Sequence, residues 1–151
     1  MSFRQIIFVI IICLVAPSIS LSASKSVHKI IKYAYHNDTA KVMELVNSGI
    51  PVDTRDHYGK TTLMWAVVNE NVKMARFLIS KRADVNASDS EGTTVLMWAV
   101  VTGNPLIVKI LLENGADTEK KDIYGKTALM TSMSRKNRKI SELLKKNGTG
   151  R

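Results

Sequence analysis

The sequence feature that most constrains this chain is an eight-residue stretch that occurs twice, 33 residues apart. Residues 61–68 read TTLMWAVV, and residues 94–101 read TVLMWAVV. Self-similarity with a period of roughly 20 to 50 residues is typical of stacked-repeat proteins, in which each unit buries its apolar face only against its neighbours. The sequence therefore predicts a stack of short repeated units.

The first twenty residues have the order of a secretory signal peptide. Residues 1–5 are a short positively charged start, and Ile6 to Ala16 is an unbroken apolar run before a short exit with two serines. A membrane anchor is the alternative, but this run is well short of the roughly 20 residues that a spanning helix needs. We expect a signal peptide over residues 1–20 that is cleaved after Ser20, a flexible leader over residues 21–26, and a periplasmic or secreted protein.

Residue usage gives little support to catalysis. Cys13 lies inside the apolar run and is lost with a cleaved signal, which leaves no disulfide, thiol nucleophile or thiolate metal ligand. His28, His36 and His57 fall in different units without metal-ligand spacing, and the sequence has no glycine-rich phosphate loop or serine elbow. We therefore expect no enzyme activity, no metal and no cofactor.

Helical periodicity and turn residues divide the rest of the chain into four units. Each unit has two segments with apolar residues at three- and four-residue spacing, separated by a polar break. The last three units open with an aspartate and a glycine, and we expect Asp56, Asp89 and Asp122 each to bond its own turn. The predicted repeat domain spans residues 27–149, with units at about 27–55, 56–88, 89–121 and 122–149.

From Val27 onward this pattern resembles the ankyrin-repeat family. One register joins the D-x-x-G-x-T turn, the T-x-L helix start, the apolar pair of the second helix and, in the second and third units, an A-D ending. The resemblance implies an all-α solenoid of helix-turn-helix units with projecting β-turn fingers, first helices lining a concave groove, and second helices on the convex side. The family's T-P-L-H stretch lacks its proline here, and Met64, Met97 and Met130 replace its histidine.

The tryptophans and methionines of the repeated stretch could either pack in the core or take part in a binding site. Trp65 and Trp98 stand where the family has leucine, and we interpret them as core residues. Stacked thioethers can hold cuprous ion, but at helical spacing in a core position we interpret the methionines as packing residues. The methionine row comprises Met64, Met97, Met130 and Met133.

The resemblance also implies that a partner protein binds at the fingertips and at the exposed edge of the first helices. Tyr58 and Tyr124 are of the kind that dominates interfaces, yet they could pack along the finger, and both interpretations stay open. The predicted fingertip residues are His57, Tyr58, Lys60, Ser90, Glu91, Thr93, Ile123, Tyr124 and Lys126, and the predicted helix-edge residues are Val68, Asn69, Val101, Thr102, Ser134 and Arg135.

Positive charge collects at the C-terminal end, where residues 118–151 hold 10 basic and 3 acidic residues, net +7 out of +9 for the chain. A terminal repeat needs a hydrophilic outer face because no neighbour covers it, so we predict a solubilising cap there. An acidic partner or an anionic surface is the alternative. No aromatic residues interleave with these cations, which argues against nucleic acid. The predicted basic patch comprises Lys120, Lys121, Lys136, Arg138, Lys139, Lys145 and Lys146.

Taken together, these patterns predict an exported, non-enzymatic protein-protein interaction module that binds another protein through the concave face of its repeat stack. The alternative is an electrostatic adaptor that docks its basic C-terminal repeat on anionic envelope components or on an acidic partner. We expect a monomer with no small-molecule substrate, no nucleic-acid partner and at most a weak attraction to membrane surfaces.

Overall fold

The computed structural model describes residues 29–148, and the predicted signal peptide and leader lie outside that range. These residues form helices and turns, and their only β pairing is two isolated bridges, Arg55 with Thr61 and Ser88 with Thr94. Within them no helix has the length and hydropathy that crossing a bilayer requires. The helices are α1 (29–35 in the described part), α2 (Thr39–Asn47), α3 (Thr62–Val68), α4 (Val72–Ser80), α5 (Val95–Thr102), α6 (Pro105–Glu113), α7 (Ala128–Ser134) and α8 (Arg138–Gly148).

The helices stack in two rows. In the first row α3 packs on α5 and α5 on α7, while in the second row α2 packs on α4, α4 on α6 and α6 on α8. Within a unit, α3 pairs with α4, α5 with α6 and α7 with α8. The buried leucines Leu63 and Leu96 of the first row and Leu78 and Leu111 of the second belong to one core cluster. The predicted all-α repeat solenoid is therefore confirmed.

Threonine and asparagine side chains start the helices. Thr61 and Thr94 accept the backbone N–H three residues later, at 3.2 Å in both cases, which satisfies one of the free donors of the first turn. Asn71 does the same for α4 at 2.8 Å. Asp38 caps α2, since its carboxylate accepts the N–H of Lys41 at 3.0 Å.

The methionines at the third position of α3 and α5 also take part in capping. The Met64 sulfur accepts the N–H of Thr61 at 3.4 Å, and the Met97 sulfur accepts that of Thr94 at 3.4 Å. The result is a reciprocal cap in which a thioether replaces the usual Glu or Gln. Both side chains are buried, at 0% and 2% exposure. Packing is confirmed for these two residues.

The fourth unit was predicted to be a hydrophilic cap, and only its second helix, α8, fits that prediction. α8 carries basic residues in its last turn, but α7 exposes 52% of Met130 and 58% of Met133. In the 33-residue register these two stand where Met97 and Val100 are 2% and 0% exposed. The packing prediction is therefore wrong for Met130 and Met133, because within residues 29–148 no further unit packs on α7.

Candidate functional site

Each finger is a tight turn held by its own aspartate. One carboxylate oxygen accepts the N–H of the residues two and four positions later: 2.8 and 2.9 Å for Asp56, 3.0 and 2.9 Å for Asp89, and 2.9 Å twice for Asp122. The turn role predicted for the three aspartates is confirmed. The side chains at the fingertips are thus presented from a fixed backbone.

Backbone hydrogen bonds join each finger to the next. The N–H of Ser90 donates to the carbonyl of Tyr58, and the N–H of Ile123 donates to that of Glu91, both at 3.0 Å. Gly59 permits this approach, because a Cβ there would lie 2.9 Å from the Ser90 nitrogen. The fingertips therefore form a continuous row along one side of the stack.

Two tryptophans fasten the fingers to the first row of helices. The indole N–H of Trp65 donates to the second carboxylate oxygen of Asp56 at 3.0 Å, and that of Trp98 donates to Asp89 at 2.9 Å. Both indoles pack against the hydrophobic core and remain half-buried. Their interpretation as packing residues is confirmed, and each also leaves part of its ring accessible beside a finger.

The Lys60 ammonium lies over both indole rings, 5.0 Å from the centroid of Trp65 and 4.1 Å from that of Trp98. Tyr35 packs edge-on against Trp65 with ring centroids 4.9 Å apart. We call Tyr35, Lys60, Trp65 and Trp98 the aromatic cluster. Such cation–π contacts contribute about 0.5–1 kcal/mol at exposed sites, so they hold the lysine in place without neutralising its charge.

An open cavity of about 340 Å³ lies beside this cluster, between the first two fingers. Tyr58 and Trp98 give it an aromatic wall. The Asp89 carboxylate is already engaged by its turn and by Trp98. Lys60 and Glu91 have no ion-pair partner among residues 29–148, and their charges are free to meet a ligand. The cavity is lined by Tyr58, Lys60, Asp89, Ser90, Glu91 and Trp98.

The family profile for ankyrin repeats (3 copies) matches residues 19–89 and 84–150. The chain belongs to the ankyrin-repeat family. Ankyrin repeats are generally protein-protein interaction modules without enzyme activity.

Two curated relatives share single segments with this ankyrin-repeat chain. Acyl-CoA-binding domain-containing protein 2 of Arabidopsis thaliana is 38% identical over 52 residues, which cover 34% of this chain and 15% of that protein. Ankyrin repeat, SAM and basic leucine zipper domain-containing protein 1 of Carollia perspicillata is 45% identical over 47 residues, 31% of this chain and 10% of that protein. The chain thus spans a small part of either relative.

The fingertip residues predicted from the ankyrin register are largely accessible. Tyr58, Ile123 and Tyr124 are 60%, 64% and 68% exposed. Tyr58 lies against the ring of His57, with centroids 3.8 Å apart. The structure gathers the first two fingers around the cavity, and the third finger is not among its lining residues. His57, Ser90, Glu91 and Lys126 are also exposed, and Lys60 and Thr93 are half-buried.

The predicted helix-edge residues divide into engaged and free side chains. The Asn69 amide donates to the Ala34 carbonyl of the preceding unit at 2.8 Å, and the Thr102 hydroxyl donates within α5 at 3.0 Å. These polar groups have structural partners. Val68 and Val101 are half-buried, the Ser134 hydroxyl donates to a carbonyl within α7, and Arg135 is exposed. A binding role for these residues stays a prediction.

Sequence reasoning missed Tyr35, which is 56% exposed and belongs to the aromatic cluster. Tyr35 could have been found from the sequence, because it stands 33 residues, or one repeat, before the predicted helix-edge residue Val68. The thioether caps had a signal too, because threonine precedes methionine by three residues at Thr61 and Thr94, which is the spacing of a capping box.

The predicted basic patch is not uniform. The Lys120 ammonium donates to the Asn86 carbonyl at 2.9 Å, and the Arg138 guanidinium bonds Glu142 at 2.8 Å, which raises the pKa of Arg138. Several other patch cations, namely Lys121, Lys136, Lys139 and Lys146, have no acidic partner among the described residues. Across residues 29–148, no three His, Cys, Asp or Glu side chains are grouped as a metal site would need.

Proposed function

We propose that this protein is an exported, non-enzymatic interaction module whose partner protein binds along the first two fingers and the aromatic cluster. The observation that carries the proposal is the cavity between the fingers, where Tyr58 and Trp98 flank an ammonium with no acidic partner among the described residues. Exposed aromatic anchors beside a charged group are the usual hot spots of protein interfaces. We assign this surface to the groove that the ankyrin resemblance implies.

The binding surface is fixed before the partner arrives. The Asp56 and Asp89 carboxylates lock the turns, the Ser90 N–H ties one finger to the next, and both indoles are bonded to the fingers. A preformed surface loses little conformational entropy on association. The partner therefore meets a rigid aromatic wall with a positively charged group at its edge.

Export is the second part of the proposal, and it rests on the order of charge, apolar run and small residues in residues 1–20. Mass spectrometry of the native protein tests it. An N-terminus at residue 21 is expected, whereas a purified native chain that retains residues 1–20 would contradict it.

Site-specific photo-crosslinking in producing cells tests the binding site. A photoreactive residue at Tyr58 should capture one partner, and the same residue at Arg76 on α4 is the control, since Arg76 is exposed in the second row of helices. With the partner purified, Tyr58→Ala should weaken binding by about tenfold or more, the loss typical of a hot spot. Equal capture at both positions, or no capture at Tyr58, would overturn the proposed site.

The second candidate function places docking at the basic C-terminal repeat, because residues 118–151 carry +7 of the net charge. The dependence of partner binding on ionic strength distinguishes the two candidate functions. Purely electrostatic binding weakens steeply over the range in which the screening length falls to about 10 Å or less. Binding that persists there but falls with Tyr58→Ala supports the groove instead.

A further inference from the structure

The fourth unit exposes apolar side chains at positions that the interior units bury. In the register, Met130 and Met133 correspond to Met97 and Val100. The interior pair is 2% and 0% exposed, because a following unit covers it. Scattered exposed apolar residues are normal on proteins, but here they share one unit. The exposed set comprises Ile123 at 64%, Tyr124 at 68%, Met130 at 52% and Met133 at 58%.

The third finger also has a backbone carbonyl with no hydrogen-bond donor among residues 29–148. The Tyr58 and Glu91 carbonyls each accept an N–H from the next finger at 3.0 Å. Tyr124 holds the same register position, and no donor reaches its carbonyl within residues 29–148. A Cβ on Gly125 would meet nothing within 4 Å. The third finger is therefore joined to the preceding finger through the Ile123 N–H, while its Tyr124 carbonyl has no partner among the described residues.

Two lysines of the fourth unit stand at register positions whose counterparts in the second unit reach the following unit. Glu70 accepts a hydrogen bond from Asn104 of the following unit at 3.1 Å, and its counterpart is Lys136. Lys60 extends over Trp98 of the following unit, and its counterpart is Lys126. The rim of this face is therefore basic.

We propose that this end face docks a partner protein that presents an apolar ridge flanked by carboxylates. The end face is defined as Ile123, Tyr124, Met130 and Met133 with the rim lysines Lys126 and Lys136. The inference rests on the proposed function in that it assumes a protein partner, and it assigns that partner a chemistry and a second contact surface.

Three observations favour a partner protein with carboxylates over a second copy of the chain and over a membrane surface. Among residues 29–148 neither rim lysine has an ion-pair partner, so carboxylates complement the rim. A second copy docked through the same face would bring like charges together. A membrane surface would use the apolar and cationic groups but not the Tyr124 carbonyl, which is placed to accept a backbone N–H as it does in the two interior fingers.

A library of random twelve-residue peptides displayed on phage, selected on the intact chain, tests the chemistry. Enriched peptides should combine Asp or Glu with aliphatic or aromatic residues. Their affinity should fall at least tenfold for the double variant Met130→Ala with Met133→Ala, and likewise for Lys126→Glu with Lys136→Glu. Both lysines are exposed, and the chain itself has a glutamate in the conformation of Lys136, since Glu70 has a φ of 52° and Lys136 a φ of 54°.

The matched control is Lys73→Glu with Arg76→Glu, which makes the same charge change on exposed positions of α4. It should leave affinity within about twofold. Equal losses for both charge variants would reduce the effect to net charge and overturn the inference. Circular dichroism melting should show all variants folded, since both methionines are more than half exposed.

The remaining outcomes separate this inference from the proposed function. Peptides that depend on Tyr58 and not on the end face would overturn only the inference. Selection of no peptide that depends on either surface would count against both. Binding to vesicles of phosphatidylcholine with 30% phosphatidylglycerol that is lost with Met130→Ala and Met133→Ala, without acidic peptides, would assign the face to lipid. Concentration-dependent dimers lost in the same variant would assign it to a second copy.

Discussion

The second and third units and the fourth unit carry the same residues at several positions in different surroundings. Met64 and Met97 are buried and accept the N–H that opens their helix at 3.4 Å. The Met130 N–H donates to the Thr127 hydroxyl at 3.3 Å, as the Met64 and Met97 N–H groups do to Thr61 and Thr94, yet the Met130 side chain is 52% exposed. The register sets the backbone of a repeat, whereas the neighbour that follows sets the environment of its side chains.

The fingers repeat this contrast. Asp56 and Asp89 accept an indole N–H, but the fourth unit has Thr131 in place of the tryptophan, so Asp122 holds its turn alone. The first two fingers are therefore braced against the helices, and the third is held by its turn and by the Ile123 N–H. An interior unit is stabilised from both sides and a terminal unit from one.

The largest expected effect comes from truncating a methionine that both neighbours enclose. Met97→Ala removes a fully packed side chain and a thioether cap, and should lower the free energy of unfolding by about 3 kcal/mol. Met130→Ala is the matched control and should change it by less than about 0.5 kcal/mol, because the side chain is mostly in solvent. Urea unfolding followed by circular dichroism measures both. Equal losses would mean that α7 is covered in solution.

Most of the fold was predictable from the sequence because the repeat period fixes where every helix, turn and cap recurs. The turn that Asp56 holds was predicted in this way. The period could not say which copies are enclosed. Met130 and Met133 were misassigned for that reason: a register position transfers local backbone geometry, but burial depends on the next unit in space.

An intermediate effect is expected where one finger meets the next. Gly59→Ala places a Cβ 2.9 Å from the Ser90 nitrogen and adds a side chain at a φ of +76°. The backbone conformation alone costs about 1 kcal/mol, and we expect about 2 kcal/mol in total. Gly125→Ala, at a φ of +72° with nothing within 4 Å, should cost only the roughly 1 kcal/mol of the backbone conformation.

The difference between the two glycine variants measures the close approach of the fingers. Thermal melts by circular dichroism at equal concentration provide it. If Gly125→Ala destabilised as much as Gly59→Ala, the third finger would have an occupant in solution, and the comparison between interior and terminal units would fail at this point.

The candidate site was predictable in part. The fingertip positions followed from the register, and Tyr58 and Tyr124 are exposed as binding residues must be. The aromatic cluster was not anticipated, because a lysine held over the indole of the next unit is a contact between repeats. Such a contact depends on side-chain direction and length, which periodicity does not carry. The engagement of Asn69 with the Ala34 carbonyl was missed for the same reason.

The smallest expected effect tests whether that lysine stabilises the stack. Lys60→Met keeps the aliphatic stem but removes the charge that lies 4.1 Å from the centroid of Trp98 and 5.0 Å from that of Trp65, and should cost about 0.5–1 kcal/mol. Lys126→Met is the matched control and should cost about 0 kcal/mol, because a substitution at an exposed surface position is close to neutral. Urea midpoints give the energies, and tryptophan emission should change for Lys60→Met alone. If Lys60→Met left both the midpoint and the emission unchanged, the ammonium would not rest on the indoles in solution.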